Sequence, residues 1–95
     1  VKTAAGYTLP AEAIASDEAW LDVGGLVRGM QPAGPNLLVI RTGAGAAQRV
    51  ALALDRSGWP EMVGNIGGDD TVFVATATPA QQKRLIARLG AAFGH

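Results

Sequence analysis

The sequence has no cysteine, a single histidine and no excess of charge of either sign. Without cysteine the chain forms neither disulfides nor thiolate metal sites, and nothing in it points to secretion. Eight basic residues offset eight acidic ones, whereas a domain that grips DNA phosphates needs a basic excess. No apolar run approaches the roughly 18 residues of a membrane span. These absences predict a cytoplasmic domain that contacts neither a membrane nor nucleic acid directly.

The scarcity of catalytic side chains also argues against an enzyme. The one histidine, His95, is the last residue, and no serine or threonine has an obvious base near it. The stretch Gly43-Ala44-Gly45 precedes a helical pattern, but it lacks the lysine and the spacing of a phosphate-binding loop. We therefore expect a domain that is not an enzyme and that needs no cofactor or metal.

Length and composition describe one small domain. The chain has 95 residues, of which 48% are hydrophobic and only 17% are charged. A core this small gains from partner subunits, and sparse surface charge fits a chain that is partly covered in an assembly. The chain begins at Val1 rather than at a methionine, so we expect it to be a piece of a longer protein.

Hydrophobic periodicity predicts six elements in the order β-β-α-β-β-α. The strands are short apolar or β-branched runs between turn residues, and the helices are runs with apolar residues at helical spacing. Strands are expected over residues 26–31, 37–42, 61–66 and 71–76, with helices between residues 43 and 58 and from residue 78 onward. This order predicts an α+β two-layer sandwich, with a four-stranded, mostly antiparallel sheet and two helices on one face. The other face is then solvated or packed on another subunit.

Capping signals mark the ends of the two helices. Thr78 is a predicted N-cap, Pro79 takes the first helical position, and Gln81 can complete a capping box. Gly58 occupies the place of a left-handed C-terminal cap, and Trp59 after it is expected to be a core or interface anchor.

The first quarter of the chain carries weaker signals of secondary structure. Residues 1–10 predict an extended linker, and residues 11–19 permit a helix with Ser16 as a possible N-cap. We therefore divide the chain into a linker, residues 1–25, and a folded domain, residues 26–95.

Two adjacent carboxylates, Asp69 and Asp70, follow Gly67 and Gly68 in a predicted turn. Their repulsion makes ionising both costly unless a cation sits between them. The glycines permit backbone angles that bring the turn close to a ligand, which suits a guanidinium, an ammonium or a divalent metal. On these residues alone a solvated turn is the better interpretation, because glycine and aspartate are common in turns.

Gln48 and Asp55 add a second polar feature. They lie seven residues apart, hence two helical turns apart on one face, and this face differs from the apolar stripe of Ala47 and Leu54. Each residue alone is typical of a solvated surface. Together they present an amide and a carboxylate that can point the same way as the acidic turn.

Two segments in this order resemble the C-terminal domain of bacterial arginine repressors. The first is Gly45-Ala46-Ala47-Gln48 at the start of a helix, and the second is Ile66-Gly67-Gly68-Asp69-Asp70-Thr71. The resemblance runs from about residue 26 to the end of the last helix. Residues 1–10 resemble the end of a winged DNA-binding domain and its linker.

The resemblance implies an effector-sensing and hexamerisation domain of a transcription regulator that controls arginine biosynthesis or catabolism. Such domains form trimers that pair into hexamers, and L-arginine binds between the trimers as corepressor. DNA is then reached only through an upstream winged-helix domain.

The resemblance also implies an arginine site built from six residues of this chain: Gly45, Ala47, Gln48, Asp55, Asp69 and Asp70. Asp69 and Asp70 match the acidic pair that recognises arginine, and Gln48 matches the helix glutamine of the same site. Asp55 matches an acidic residue further along the helix, and the two small residues line the site with backbone. The chain departs from the family at Ala44, Asn65 and Gly67, where a proline, a threonine and an alanine are more usual.

Two other functions remain open at this stage. Adjacent aspartates in a hairpin also hold catalytic magnesium in viral RNA polymerases, although such enzymes need a much longer chain. A purely structural oligomerisation domain would use the apolar outer face of the sheet and bind no small molecule.

Overall fold

The computed structural model describes residues 17–94, with side chains from Trp20 onward. Within them the elements are α1 (Asp17–Gly24), β1 (Val27–Pro32), β2 (Leu37–Thr42), α2 (Ala47–Ser57), β3 (Gly64–Gly67), β4 (Thr71–Ala75) and α3 (Pro79–Phe93). The strands form one sheet of order β1-β2-β4-β3, and every neighbouring pair is antiparallel. The predicted α+β fold is confirmed, and α1 precedes its β-β-α-β-β-α core.

The residues of the two central strands, β2 and β4, alternate between a buried face and an open face of the sheet. Leu38 and Ile40 of β2 and Val72 and Val74 of β4 point inward, as alternation along a strand requires. They join one core with the buried stripes of α2 and α3, among them Val50, Leu54, Leu85 and Leu89. The helices α2 and α3 therefore cover one face of the sheet, as predicted, and no described element covers the other.

The predicted caps of α2 and α3 are in place, with one difference. The Thr78 hydroxyl accepts a hydrogen bond from the Gln81 backbone N–H at 3.1 Å, and Pro79 holds the first turn of α3. Gly58 caps α2 in the left-handed conformation, with φ of 68°. The second bond of the predicted capping box, from the Thr78 backbone N–H to the Gln81 side chain, is not formed. The Gln81 side-chain oxygen accepts a hydrogen bond from Arg84 instead.

The helix α1 extends further than the sequence indicates, because it continues to Gly24. Its Trp20 is buried and stacks on Trp59, with ring centroids 4.9 Å apart, and it also contacts Phe93. The role of Trp59 as a core anchor is thereby confirmed. Ser16 and the proposed linker over residues 1–16 lie outside the described residues, as does His95, and the division after residue 25 stays a prediction.

The third strand begins later than predicted, at Gly64 instead of residue 61. Glu61 is only 5% exposed, and its Oε2 lies 3.2 Å from a guanidinium nitrogen of Arg88. That guanidinium also lies 4.9 Å from the ring centre of Trp59. A carboxylate buried this deeply needs a cation beside it. Glu61 therefore pairs with Arg88 of α3 and does not form part of the strand.

None of the helices within residues 17–94 has the length and apolarity to cross a membrane.

Candidate functional site

The backbone of the turn between β3 and β4 is fixed by two neighbouring elements. We call residues 67–70 the acidic turn. The Asp69 carbonyl accepts a hydrogen bond from the Ala47 N–H at 3.1 Å, and the Asp70 carbonyl accepts from the Thr42 N–H at 2.8 Å. The helix α2 has no side-chain N-cap, so the Asp69 carbonyl satisfies one of its free N–H groups. The acidic turn is therefore tied both to the start of α2 and to the end of β2.

Gln48 makes a third tie to the acidic turn. Its Nε2 donates to the Gly67 carbonyl at 2.7 Å and lies 3.4 Å from the Gly68 carbonyl. The amide nitrogen is thus committed to the turn. The Oε1 atom accepts no hydrogen bond from a described residue, so the free end of this side chain is an acceptor.

One glycine of the acidic turn, Gly67, serves a different purpose from the one expected. Neither Gly67 nor Gly68 has a positive φ. A Cβ atom on Gly67 would lie 3.1 Å from the Cβ of Ala51 and 3.4 Å from the Ala47 carbonyl oxygen. Gly67 therefore allows β3 to approach α2 closely, which brings the turn within reach of Gln48.

The two aspartate side chains have unequal surroundings. An Asp70 oxygen accepts from the Thr71 hydroxyl at 2.9 Å, and its other oxygen lies 3.8 Å from Arg41 Nη2. The side chains of Arg41 and Asp70 are 61% and 51% exposed, so this ion pair stabilises the fold little. Asp69 is exposed, and its carboxylate has no hydrogen-bond or ion-pair partner among residues 20–94.

Arg41 is the polar neighbour that sequence reasoning missed. It lies opposite Thr71 in the pairing of β2 with β4, which places it beside the acidic turn. These strands are neighbours in the sheet but not consecutive along the chain. Hydrophobic alternation gives the face of each strand, whereas the register between them depends on the folded sheet.

Asp55 lies apart from the acidic turn. Seven residues of helix separate it from Gln48, which corresponds to about 10 Å along the axis. Its Oδ1 accepts a hydrogen bond from Asn65 Nδ2 at 2.7 Å. Gln48 and Asp55 both bond to β3, so they share the face of α2 that was predicted for them. Within one chain, the structure brings Gln48 to the acidic turn but not Asp55.

The two remaining predicted site residues contribute backbone. Ala47 is fully buried, and its N–H is already bonded to Asp69. Gly45 is exposed just before α2 and has φ of 77°, a conformation that favours glycine. Ala47 thus holds the acidic turn, whereas Gly45 leaves the approach to α2 open.

Two shallow cavities border this region. One of about 310 Å³ adjoins the acidic turn and is lined by Ile66, Gly67, Gly68, Thr71 and Phe73. The other, of about 240 Å³, lies at the far end of β3 and includes Asp55, Trp59 and Asn65 in its wall. Among the residues with described side chains, no three histidine, cysteine or acidic residues are grouped to hold a metal ion.

The comparison with known proteins identifies the family. Residues 23–91 match the family model described as the arginine repressor, C-terminal domain. The chain belongs to this family. The matched span contains the acidic turn, Gln48 and Asp55 of the arginine repressor domain, whereas Trp20 precedes it.

Individual arginine repressors are similar over almost all of the chain. The arginine repressor of Koribacter versatilis is 44% identical over 93 residues, which cover 94% of this chain and 63% of the relative. That of Solibacter usitatus is 43% identical over 90 residues, which cover 90% of the chain and 61% of the relative. The chain thus spans about three fifths of the length of these curated relatives. Their name is that of a repressor and not of an enzyme, and on this ground the non-enzymatic prediction is confirmed.

Proposed function

We propose that this chain is the effector-sensing and hexamerisation domain of an arginine-responsive transcription regulator in the cytoplasm. It binds L-arginine as corepressor between two trimers, and it reaches DNA only through a winged-helix domain elsewhere in the longer protein. The regulated processes are arginine biosynthesis and catabolism. The observation that carries the proposal is an acidic turn with a fixed backbone, whose Asp69 carboxylate has no partner among residues 20–94.

The acidic turn suits the guanidinium group of arginine. The carbonyl groups of Asp69 and Asp70 are used to hold the turn, so their side chains are displayed from a fixed backbone. A carboxylate can accept two parallel N–H bonds from a guanidinium, and such charge-assisted bonds are about twice as strong as neutral ones. Asp69 has both oxygens available for this contact among residues 20–94, and the half-exposed Asp70 beside it can make a second charge-assisted contact.

Gln48 suits a positively charged or N–H group of the ligand. Its nitrogen already donates to Gly67, so the outward oxygen can accept from an ammonium or a guanidinium. The bond also keeps the side chain in place before the ligand arrives, which lowers the entropy cost of binding. Gly45, exposed before α2, lets backbone groups approach the ligand and receive its carboxylate.

The open face of the sheet supports assembly. Phe73 is 47% exposed and Ile66 is 71% exposed, and both line the cavity beside the acidic turn. Large exposed apolar side chains on one face are typical of a protein–protein contact. In a hexamer the acidic turns of several subunits would lie near one another, and their negative charge would oppose association. A cationic ligand relieves this repulsion, so arginine binding and assembly favour each other.

The same open face favours a second candidate, an oligomerisation domain that binds no ligand. This alternative needs only the apolar surface and gives no role to the exposed Asp69 carboxylate. Calorimetry separates the two candidates, because only the proposed function requires heat of binding from L-arginine.

The proposal is tested by removing one negative charge from the acidic turn. We expect Asp70→Asn to weaken L-arginine binding roughly 100-fold, the cost of losing about 3 kcal/mol from a charge-assisted contact. Isothermal titration calorimetry of the wild type and the variant measures this directly. Asp22→Asn, which neutralises an exposed aspartate of α1, is the matched control and should bind as the wild type does. Wild-type affinity in Asp70→Asn would refute the site.

A further inference from the structure

Asn65 occupies an unusual place on β3. The strand alternates, so that Gly64 and Ile66 are exposed whereas Asn65 and Gly67 are partly covered on the side of α2. An inward position on a strand that packs against a helix normally carries a small or apolar side chain. Asn65 instead directs a polar amide toward α2 and donates from Nδ2 to Asp55 Oδ1 at 2.7 Å.

Among the residues with described side chains, Asn65 makes the one hydrogen bond that orients the Asp55 carboxylate. The Asp55 side chain is exposed and forms no ion pair with any residue whose side chain is described. A free surface carboxylate samples several rotamers, and ordering it on ligand binding costs free energy. The Asn65 amide removes part of that cost, because it holds Oδ1 and leaves Oδ2 as the open acceptor.

We propose that Asn65 is a positioning residue that fixes the Asp55 carboxylate for a cationic group of the ligand. The inference rests on the proposed arginine site, and it assigns a task to a residue that the site itself does not include. With Oδ1 taken by Asn65, Asp55 offers its second oxygen as a point contact. Asp69, by contrast, has both oxygens available for a guanidinium fork.

A structural role is the competing explanation, because the Asn65–Asp55 bond also ties β3 to α2. Gln48 makes a similar tie two residues further along the strand, through the Gly67 carbonyl. If Asn65 served only as a tie, its loss would displace the acidic turn, and the effect on the ligand would not depend on the charge of Asp55. If Asn65 positions Asp55, its effect requires the Asp55 carboxylate.

A double-mutant cycle on L-arginine affinity separates the two explanations. The variants are Asn65→Leu, which keeps the shape but lacks the donor, Asp55→Asn, and the pair together. We expect Asn65→Leu to raise the Kd for L-arginine about tenfold, since bonds to charged groups are the strong ones. In the Asp55→Asn background the same change should alter the Kd less than about twofold, because the carboxylate that Asn65 positions is absent.

The outcomes are distinguishable from those of the proposed function. An equal effect of Asn65→Leu in both backgrounds, or no effect in the wild type, would overturn the positioning role. If either result accompanies loss of binding in Asp70→Asn, the arginine site stands and only this inference falls. A wild-type chain that does not bind arginine would overturn both. Circular dichroism checks folding, and Asn65→Ala replaces Asn65→Leu in the cycle if the larger side chain prevents folding.

Discussion

At the residue scale, the acidic turn uses its backbone and its side chains for different tasks. The carbonyls of Gly67, Asp69 and Asp70 accept hydrogen bonds from the neighbouring elements, whereas the carboxylates take no part in those bonds. Changing a carboxylate should therefore alter ligand binding with little effect on the fold. Changing the groups that hold the carbonyls should alter both.

Gln48 tests this division, because its nitrogen holds the turn and, in the proposed site, its oxygen contacts the ligand. Gln48→Glu removes the donor to the Gly67 carbonyl and places a negative oxygen beside it. We expect the free energy of unfolding to fall by about 1 kcal/mol, and the Kd for L-arginine to rise about tenfold as the turn loosens. Chemical denaturation and calorimetry measure the two effects.

The control for Gln48 is Gln81→Glu, which makes the same exchange at the start of α3. A glutamate there is favourable to the helix N-terminus, so neither stability nor affinity should decrease. Gln48→Glu with unchanged stability would show that the bond to the acidic turn contributes nothing in solution.

The sequence was sufficient to single out most residues of the candidate site but not all of their contacts. Asp69, Asp70 and Gln48 stand out because of their chemistry and spacing, and the structure brings them together. Arg41 and Asn65 do not stand out, since their contacts depend on strand register and on how closely α2 packs against β3. The role of Gly67 was misjudged for the same reason: its small size matters through Ala51, a residue distant in sequence.

At the element scale, the layers of the sandwich follow from patterns that are local in sequence. The strand Leu37–Thr42 and the caps at Thr78 and Gly58 were predictable, because alternation and capping involve neighbouring residues only. The predicted start of β3 was wrong because Glu61 pairs with Arg88 of α3, and no local pattern in the sequence reveals that contact. The open face of the sheet is the element-scale feature on which the proposed assembly depends.

Two exposed apolar residues allow a test of whether subunits associate through the open face of the sheet or through the helical face. Phe73 on β4 and Leu52 on α2 are both 47% exposed. We expect Phe73→Glu to weaken self-association at least tenfold, because burying an unpaired carboxylate in an apolar contact costs several kcal/mol. Sedimentation velocity over a concentration series measures the change.

Leu52→Glu is the matched control and should leave the assembly state as it is in the wild type. The opposite pattern, with Leu52→Glu dissociating the assembly and Phe73→Glu leaving it intact, would place the subunit contact on the helical layer. That result would contradict the role proposed for the open face.

At the scale of the whole molecule, the first helix completes the core. Trp20 bridges Trp59 and Phe93, so the residues just before the span matched by the family model also pack on the sandwich. If residues 1–25 are a linker, α1 and the rest of the fold should differ in stability from what this packing predicts. A linker would contribute little, whereas a core helix would unfold together with the sheet.

Trp20→Ala measures that contribution. We expect the free energy of unfolding to decrease by about 3 kcal/mol, as is typical when a buried aromatic side chain is truncated. Leu21→Ala on the exposed side of the same helix should change it by about 0.5 kcal/mol or less. Equal small changes in urea denaturation would instead support a linker that ends at residue 25.

In the proposed hexamer, the charge of the ligand is linked to assembly. The chain carries no net charge, yet its proposed contact region concentrates acidic turns, and the ligand supplies the missing positive charge. The coupling is reciprocal, so that assembly should also raise the affinity for arginine. A neutral molecule of the same shape cannot play this part.

A calorimetric titration of the wild-type chain with L-arginine and with L-citrulline tests whether the acidic turn recognises the charge of the guanidinium. Citrulline matches arginine in shape but carries a neutral urea group in place of the guanidinium. We predict saturable binding of arginine, with citrulline at least roughly 100-fold weaker, because its neutral end forms no charge-assisted bonds with Asp69 and Asp70. Equal affinity for the two ligands, or no binding of arginine, would rule out recognition of arginine by the acidic turn.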